Sequence, residues 1–245
     1  MNKLILCEGK TDAVFISYYL EIVHGWTHKF EHSRLQKAFK EGADRTRGES
    51  IEWYRKDEDY LLICAVGGRE NFNKFIKNKI LPAMIDSSLF SRIAIVTDRD
   101  DRDEQRICES VRSFFEPMTL SCKNNVWMKS TYQNSYSEKV GFEFLLLIIP
   151  PDKEGALEIV FMDAISENDY DRVIVEKAKS YVEDVEPFAS RYINKNRLKP
   201  KACLGVVWAT QFPENTFVLI DDQIRSVNWS KFDIIEKCFK ELMRI

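Results

Sequence analysis

Apolar residues in this chain fall into short unbroken runs, separated by segments of helical period. Leu4-Ile5-Leu6-Cys7 is continuous rather than alternating, the pattern of a strand buried on both faces of a parallel sheet. It ends in Glu8-Gly9, after which Val14, Phe15, Tyr18, Tyr19 and Ile22 recur at helical spacing. Gly9 permits a tight turn, and Thr11 or Asp12 can cap the helix. Strand one and helix one therefore fill residues 3–24. A second run, residues 60–66, ends in Gly67-Gly68 and leads into an amphipathic helix over 69–84 that stops near Pro82. A third run begins at Ile93 and ends in Asp98-Arg99-Asp100. The next helix opens with Asp101, Arg102, Asp103 and Glu104, whose acids complement its dipole, and stops at Pro117. Residues 124–137 are polar around Val126-Trp127-Met128 and read as a short edge strand and a loop. Residues 140–149 form a fourth strand closed by Pro150-Pro151. This alternation predicts βαβ units, hence an α/β fold with a mostly parallel four-stranded sheet and flanking helices.

Two stretches break the pattern. Residues 29–59 are dense in both charge signs with little apolar periodicity, and predict a solvated loop, helical in part around 33–41. A sharper reading makes this loop a substrate-facing flap, because Arg45, Arg47, Arg55 and Lys56 could meet phosphates. Beyond Pro151 the periodicity turns helical, over 153–165, 171–185, from about Pro200, and over 230–243 with Ser230 as N-cap. Residues 217–222 read as a short strand or an extended loop. The chain thus divides into an α/β domain, 1–150, and a helical C-terminal region, 151–245, packed on it.

Composition narrows the class. The formal net charge of −3 over 245 residues excludes a uniformly basic surface, so nucleic-acid contact has to come from a local patch. Six scattered cysteines form no C-x-x-C pair, and several sit inside apolar runs as small hydrophobes, which suits a reduced, cytoplasmic setting. No run approaches the ~18 apolar residues of a membrane span, and no secretory leader is expected.

The candidate chemistry is carboxylate chemistry. Asp98 and Asp100 lie two apart, so on an extended chain they point the same way and can share one cation. With Glu8 on another strand of the same sheet they make a hard-oxygen site for Mg²⁺ or Mn²⁺. The rival reading is helix capping. It is the simpler one for Asp98 alone, whereas the three acids together favour a metal. His24, His28 and His32 would share a helix face and could bind zinc, but Gly25 interrupts them. Gly9-Lys10-Thr11 mimics the end of a P-loop, yet the upstream glycine position is Leu4.

The Glu8-Gly9 strand end, the Gly67-Gly68 strand end and Asp98-x-Asp100, in this order, resemble the TOPRIM domain of topoisomerases, bacterial primases, recombination-repair proteins and OLD-family nucleases. The resemblance covers residues 1–150. It is nearest to stand-alone bacterial TOPRIM-like proteins and, in style, to the OLD-family nuclease domain. It implies a Mg²⁺- or Mn²⁺-dependent nuclease acting on DNA or RNA in phage defence or repair, with Glu8, Asp98 and Asp100 as catalytic metal-site residues. Asp12 either supports that metal or caps its helix. Glu158, in Gly155-Ala156-Leu157-Glu158, resembles the acid that serves a second metal, or is an exposed helix carboxylate. Arg191, Lys195, Arg197, Lys199 and Lys201 are the clearest basic cluster. The resemblance offers Lys201 as the lysine that stabilises the transition state; the other four read as a nucleic-acid-binding patch, or singly as solvated charges. Arg102 stands where topoisomerases carry a third acid, and no counterpart of the ATPase domain that precedes TOPRIM in OLD proteins is expected. The alternative function is a non-catalytic metal- and nucleic-acid-binding module working with a protein partner.

Overall fold

The computed structural model describes residues 2–30, 33–215 and 218–245. The chain divides into two compact units. The first comprises residues 1–97, 102–148 and 239–245, and the second residues 98–101 and 149–238.

The first unit is built on one sheet. Its strands are β1 (Asn2–Cys7), β2 (Thr27–His28), β3 (Glu49–Lys56), β4 (Asp59–Val66), β5 (Arg92–Asp98), β6 (Met128–Gln133) and β7 (Lys139–Ile149), in the spatial order β2-β3-β4-β1-β5-β7-β6. Among the described residues the sheet therefore has seven strands, not four. At its centre β1 runs parallel to β4 on one side and to β5 on the other, with Leu4 opposite Leu62 and Ile93. The pairs β2/β3, β3/β4 and β6/β7 are antiparallel.

The expectation of a solvated loop over 29–59 is overturned by β3. Ile51 and Trp53 point inward at alternate positions, opposite Cys64 and Leu62, and both are buried. The strand signal is only a few residues long and sits among charges, so period-2 alternation is easily missed there. The Trp53 indole N–H donates to the Gln36 carbonyl at 3.3 Å, which ties β3 to α2 (Arg34–Glu41). That helix starts in a capping box, with Ser33 and Gln36 exchanging backbone-to-side-chain hydrogen bonds.

Helix α1 (Lys10–His24) packs on β1 and β4 and ends at Gly25, whose φ of 69° only glycine adopts cheaply. His24 is therefore the last helical residue, while His28 lies in β2 and binds Glu52 at 3.0 Å. The two do not share a helix face, and His32 lies outside the described residues. The helix expected to stop at Pro82 instead continues as α3 (Phe72–Phe75), a π turn (Ile76–Ile80) and α4 (Leu81–Ser87). Pro82 falls in the first turn of α4, directly after the π turn shifts the hydrogen-bond register, where its missing N–H is tolerated. Helix α5 (Glu104–Phe114) completes this layer. The core joins Leu4, Leu62, Ile95 and Phe144 of the sheet to Phe75 and Phe115.

The second unit is helical: α6 (Leu157–Ile165), α7 (Asp169–Val185), α8 (Leu198–Gln211), α9 (Ile220–Ser226) and α10 (Asp233–Phe239). Helices α6, α7 and α8 pack on one another, and Phe161 stacks on Trp229 at 4.3 Å. Ile220 opens α9, so residues 220–222 are helical rather than extended; Phe217 lies outside the described residues. The last helix begins at Asp233, because Glu167 accepts the N–H groups of Asp233 and Ile234 at 3.0 and 2.7 Å. Ser230 belongs to a short 3₁₀ turn capped by Asn228. Among the described residues no helix is long and apolar enough to cross a membrane. All six cysteines are free and buried, and burial pushes the Cys64 thiol up and that of Cys238 up to about 11.

Trp53→Ala tests the placement of β3. It should lower unfolding free energy by about 3–5 kcal/mol in urea titrations, as truncating a buried aromatic does. A change within about 0.5 kcal/mol would return residues 49–56 to the surface.

Candidate functional site

In the first unit the ionisable residue of interest lies just past the central strand. The Glu8 carbonyl accepts the Gly68 N–H at 2.8 Å, which joins the ends of β1 and β4. Gly67 and Gly68 adopt φ of 79° and 119°, and a Cβ on Gly67 would lie 2.0 Å from the Arg47 carbonyl oxygen. The glycine pair therefore permits a close approach of backbone to backbone. It also turns the chain so that Arg69 reaches Glu8. Glu8 Oε1 accepts from Arg69 Nε at 2.9 Å, from Arg69 Nη2 at 2.8 Å and from Thr97 Oγ1. The Glu8 side chain is 16% exposed and that of Arg69 21%, so the pair is largely withdrawn from water and each charge depends on the other. In the sequence Arg69 reads only as the first residue of a helix; its position directly after Gly67-Gly68, which ends the strand beside β1, is the available signal. Asp12 accepts the Gly9 N–H at 2.7 Å and so caps α1.

In the second unit, residues 98–101 are anchored on the segment that opens α6. The Asp100 N–H donates to the Gly155 carbonyl at 2.7 Å, and the Gly155 N–H returns a bond to Asp100 at 2.9 Å. The Arg99 N–H donates to Ile149, and its guanidinium to the carbonyls of Pro150 and Pro151. Asp98 Oδ1 accepts the Leu157 N–H at 3.2 Å, so Asp98 caps α6 rather than the helix that follows it in sequence. The extended-chain argument for Asp98 and Asp100 does not hold geometrically, because β5 ends at Asp98 and Asp100 turns left-handed with φ 51°. Aspartate is among the few side chains that tolerate this region, and such residues cluster at functional sites. Gly155 adopts φ 136°, and a Cβ there would meet Ile159 Cγ1 at 2.7 Å.

These segments border a cleft of about 430 Å³. Its ionisable lining is Asp100, Asp101, Glu154, Lys195 and Arg197, with Asn196 beside them, over Gly155, Ala156, Ile159 and Pro200. The fold thus brings Lys195 and Arg197 of the basic cluster together with Asp100. Asp101, Glu154 and Asn196 were not singled out from sequence, where a carboxylate in a polar turn carries no periodic signal. Glu158 and Lys201 form an ion pair in which Glu158 is 12% exposed and Lys201 54%. Lys199 pairs with Glu186 at 2.7 Å, and the Arg191 guanidinium lies 5.9 Å from the Tyr192 ring.

Among the described residues no group of three or more His, Cys, Asp or Glu side chains is arranged to hold a metal ion. The donor chemistry of Asp98 and Asp100 is that of a hard cation. Mg²⁺ commonly takes only one or two carboxylates and fills its remaining positions with water and substrate phosphate. Asp98 and Asp100 offer carboxylate oxygens of that kind, Asp98 with one oxygen already accepting the Leu157 N–H.

Over residues 2–244 the chain matches the family described as "Protein of unknown function (DUF3226)", and it belongs to that family. It is similar in fold to the crystal structure of hypothetical protein PH0156 from Pyrococcus horikoshii OT3, at 17% identity and a TM-score of 0.52, covering 99% of this chain and 92% of that one. No curated protein matches.

The Glu8–Arg69 pair makes a separable prediction. Arg69→Met takes the counter-charge from a largely buried carboxylate and should cost about 3 kcal/mol of stability at neutral pH. Adding Glu8→Gln removes the stranded charge and should recover at least half of that loss. Additive effects in the double variant would show that the two side chains do not interact.

Proposed function

We propose that this protein is a divalent-metal-dependent phosphodiester hydrolase acting on DNA or RNA. The observation that carries the proposal is the cleft of the second unit, where Asp100, Asp101 and Glu154 share one cavity with Lys195 and Arg197. Carboxylates alone repel a phosphodiester. Beside two cations they provide both halves of what metal-assisted cleavage needs, a place for the metal and a place for the phosphate. Asp98 and Asp100 would hold Mg²⁺ or Mn²⁺, and Glu158 is the candidate for a second ion. A bound divalent cation would supply Lewis acidity toward water and toward the scissile phosphate.

The chain's own groups do the rest. Lys195 and Arg197 receive the phosphate oxygens. The Leu157 N–H fixes one oxygen of Asp98, and Arg99, held on the carbonyls of Pro150 and Pro151, keeps the loop in place. Lys201, more than half exposed and paired with Glu158, is the lysine that the resemblance offers for charge developing on the phosphate. The TOPRIM resemblance supports the reading, and in it Glu8 either completes the metal's shell or acts as general base or acid through a bound water.

A second reading, a non-catalytic metal- and nucleic-acid-binding module with a protein partner, draws on the Glu8–Arg69 and Glu158–Lys201 pairs. In each, the carboxylate already has a counter-charge from the protein.

Incubation with plasmid, single-stranded DNA and tRNA separates the two. Cleavage should need Mg²⁺ or Mn²⁺, and Asp98→Ala with Asp100→Ala should reduce it by about 100-fold or more. Binding without turnover in every metal would favour the second reading, and cleavage unchanged by the double variant would sink the first.

Melting curves give an independent check on the metal. Mn²⁺ at saturation should raise stability by about 1–3 kcal/mol over EDTA. Asp98→Asn with Asp100→Asn keeps an acceptor for the Leu157 N–H and should fold normally yet gain nothing from Mn²⁺. Equal shifts in both proteins would leave these aspartates as structural groups only.

A further inference from the structure

We infer that the second unit takes its nucleic acid as a single strand, with unpaired bases stacked on Phe188 and Tyr192 and the backbone held by Arg191, Lys195 and Arg197. The inference rests on the proposed hydrolase only for what happens to the strand afterwards; the binding itself needs neither metal nor cleavage.

The segment between α7 and α8 has an unusual make-up. Phe188 is 91% exposed and Tyr192 73%. They project from turns that are themselves hydrogen-bonded, through Phe188 N–H and Ala189 N–H to Val185, and Tyr192 N–H and Ile193 N–H to Ala189, at 2.8–3.0 Å. The rings are thus presented from ordered backbone. Cations alternate with them in sequence: Arg191 precedes Tyr192, and Lys195 and Arg197 follow, all three exposed. From Pro187 to Pro213 the chain has no acidic residue, although its overall charge is −3. Among the described residues Arg191, Lys195 and Arg197 form no ion pair, whereas Lys199 and Lys201 are matched by Glu186 and Glu158.

Exposed rings interleaved with unmatched cations are how proteins hold single strands, since every base has a face to stack and the backbone supplies the charge. A duplex would use the cations and leave the rings idle, because its bases are already stacked on one another. A second copy of this chain is disfavoured as the occupant, because an acid-free basic patch repels itself. The rings on α7, Tyr170 and Tyr181, are not part of the platform: they stand among Asp169, Asp171, Glu176, Glu183 and Asp184. Continuity with the site is direct, because Lys195 and Arg197 also line the cleft that contains Asp100 and Glu154.

Fluorescence anisotropy with the full chain in EDTA tests this, using labelled oligonucleotides as single-stranded DNA, single-stranded RNA and the DNA duplex over a range of salt. At least one single strand should bind about tenfold tighter than the duplex. Phe188→Ala with Tyr192→Ala should weaken single-strand binding by about tenfold without altering the salt dependence. Lys195→Gln with Arg197→Gln should instead flatten the log–log salt slope by about 1.4. Equal or tighter duplex binding, or indifference to the aromatic pair, overturns the inference. So does a dimer on size exclusion that Phe188→Ala dissolves, which would assign the rings to self-association. Single-strand binding that survives in an Asp98→Ala, Asp100→Ala protein devoid of cleavage supports the inference and reports on hydrolysis separately.

Discussion

The first unit depends on the two-sided parallel pairing of β1. Residues 4–7 of this strand are fully buried between β4 and β5, so none of them can carry charge. Ionisable groups are therefore pushed to the strand's ends, and each arrives with compensation. At the N-terminal end Lys3 is only 9% exposed, pairs with Asp59 at 2.8 Å and lies over the Trp26 ring. At the other end Glu8 meets Arg69 and Thr97. The pattern is what a low-dielectric sheet demands: charge where the strands stop, with a partner supplied by a neighbouring strand end. Open α/β sheets keep their chemistry at the carboxyl ends of strands for the same reason.

The second unit meets a different constraint. Residues 98–101 are clamped by backbone bonds to Gly155 and by the side chain of Arg99 to the two prolines after β7. The left-handed turn at Asp100 and the positive φ of Gly155 face each other across that clamp. Conformations of this kind persist only when their surroundings over-determine them, and here the return is a cleft edge bearing Asp100, Asp101 and Glu154. The capping of α6 by Asp98 is part of the same arrangement. One carboxylate serves the backbone while its neighbours face the cavity, so a helix-capping role and a role in the site are complementary for this loop rather than exclusive.

Local physics explains which parts were legible in the sequence. Apolar runs marked β1, β4, β5 and, from Phe144 to Ile149, β7, and helical spacing marked α1, α6 and α7, because burial on two faces or on one stripe imprints a period over a few residues. Strand β3 was obscured because only Ile51 and Trp53 alternate inward in a stretch otherwise full of charge. The continuation of the helix through Pro82 is not legible in the sequence, because a π turn leaves no compositional mark. The carboxylates at strand ends were visible as residues, but their partners were not.

What the sequence by itself determined, then, is the alternation of buried strands with helices, the placing of Glu8 and Asp98 at strand ends with Asp100 just beyond, and the acid-free basic stretch from Pro187 to Pro213. Tertiary structure alone decided what those groups meet. Arg69 reaches Glu8 across 61 residues, and the Leu157 N–H reaches Asp98 across 59. No period or propensity spans such a separation; only the pairing of β1 with β4, and the bridge from Asp100 to Gly155, bring those positions together. The cleft follows the same rule. Its acids come from residues 100, 101 and 154 and its cations from 195 and 197, and their meeting is a property of packed helices and a clamped loop rather than of any one segment.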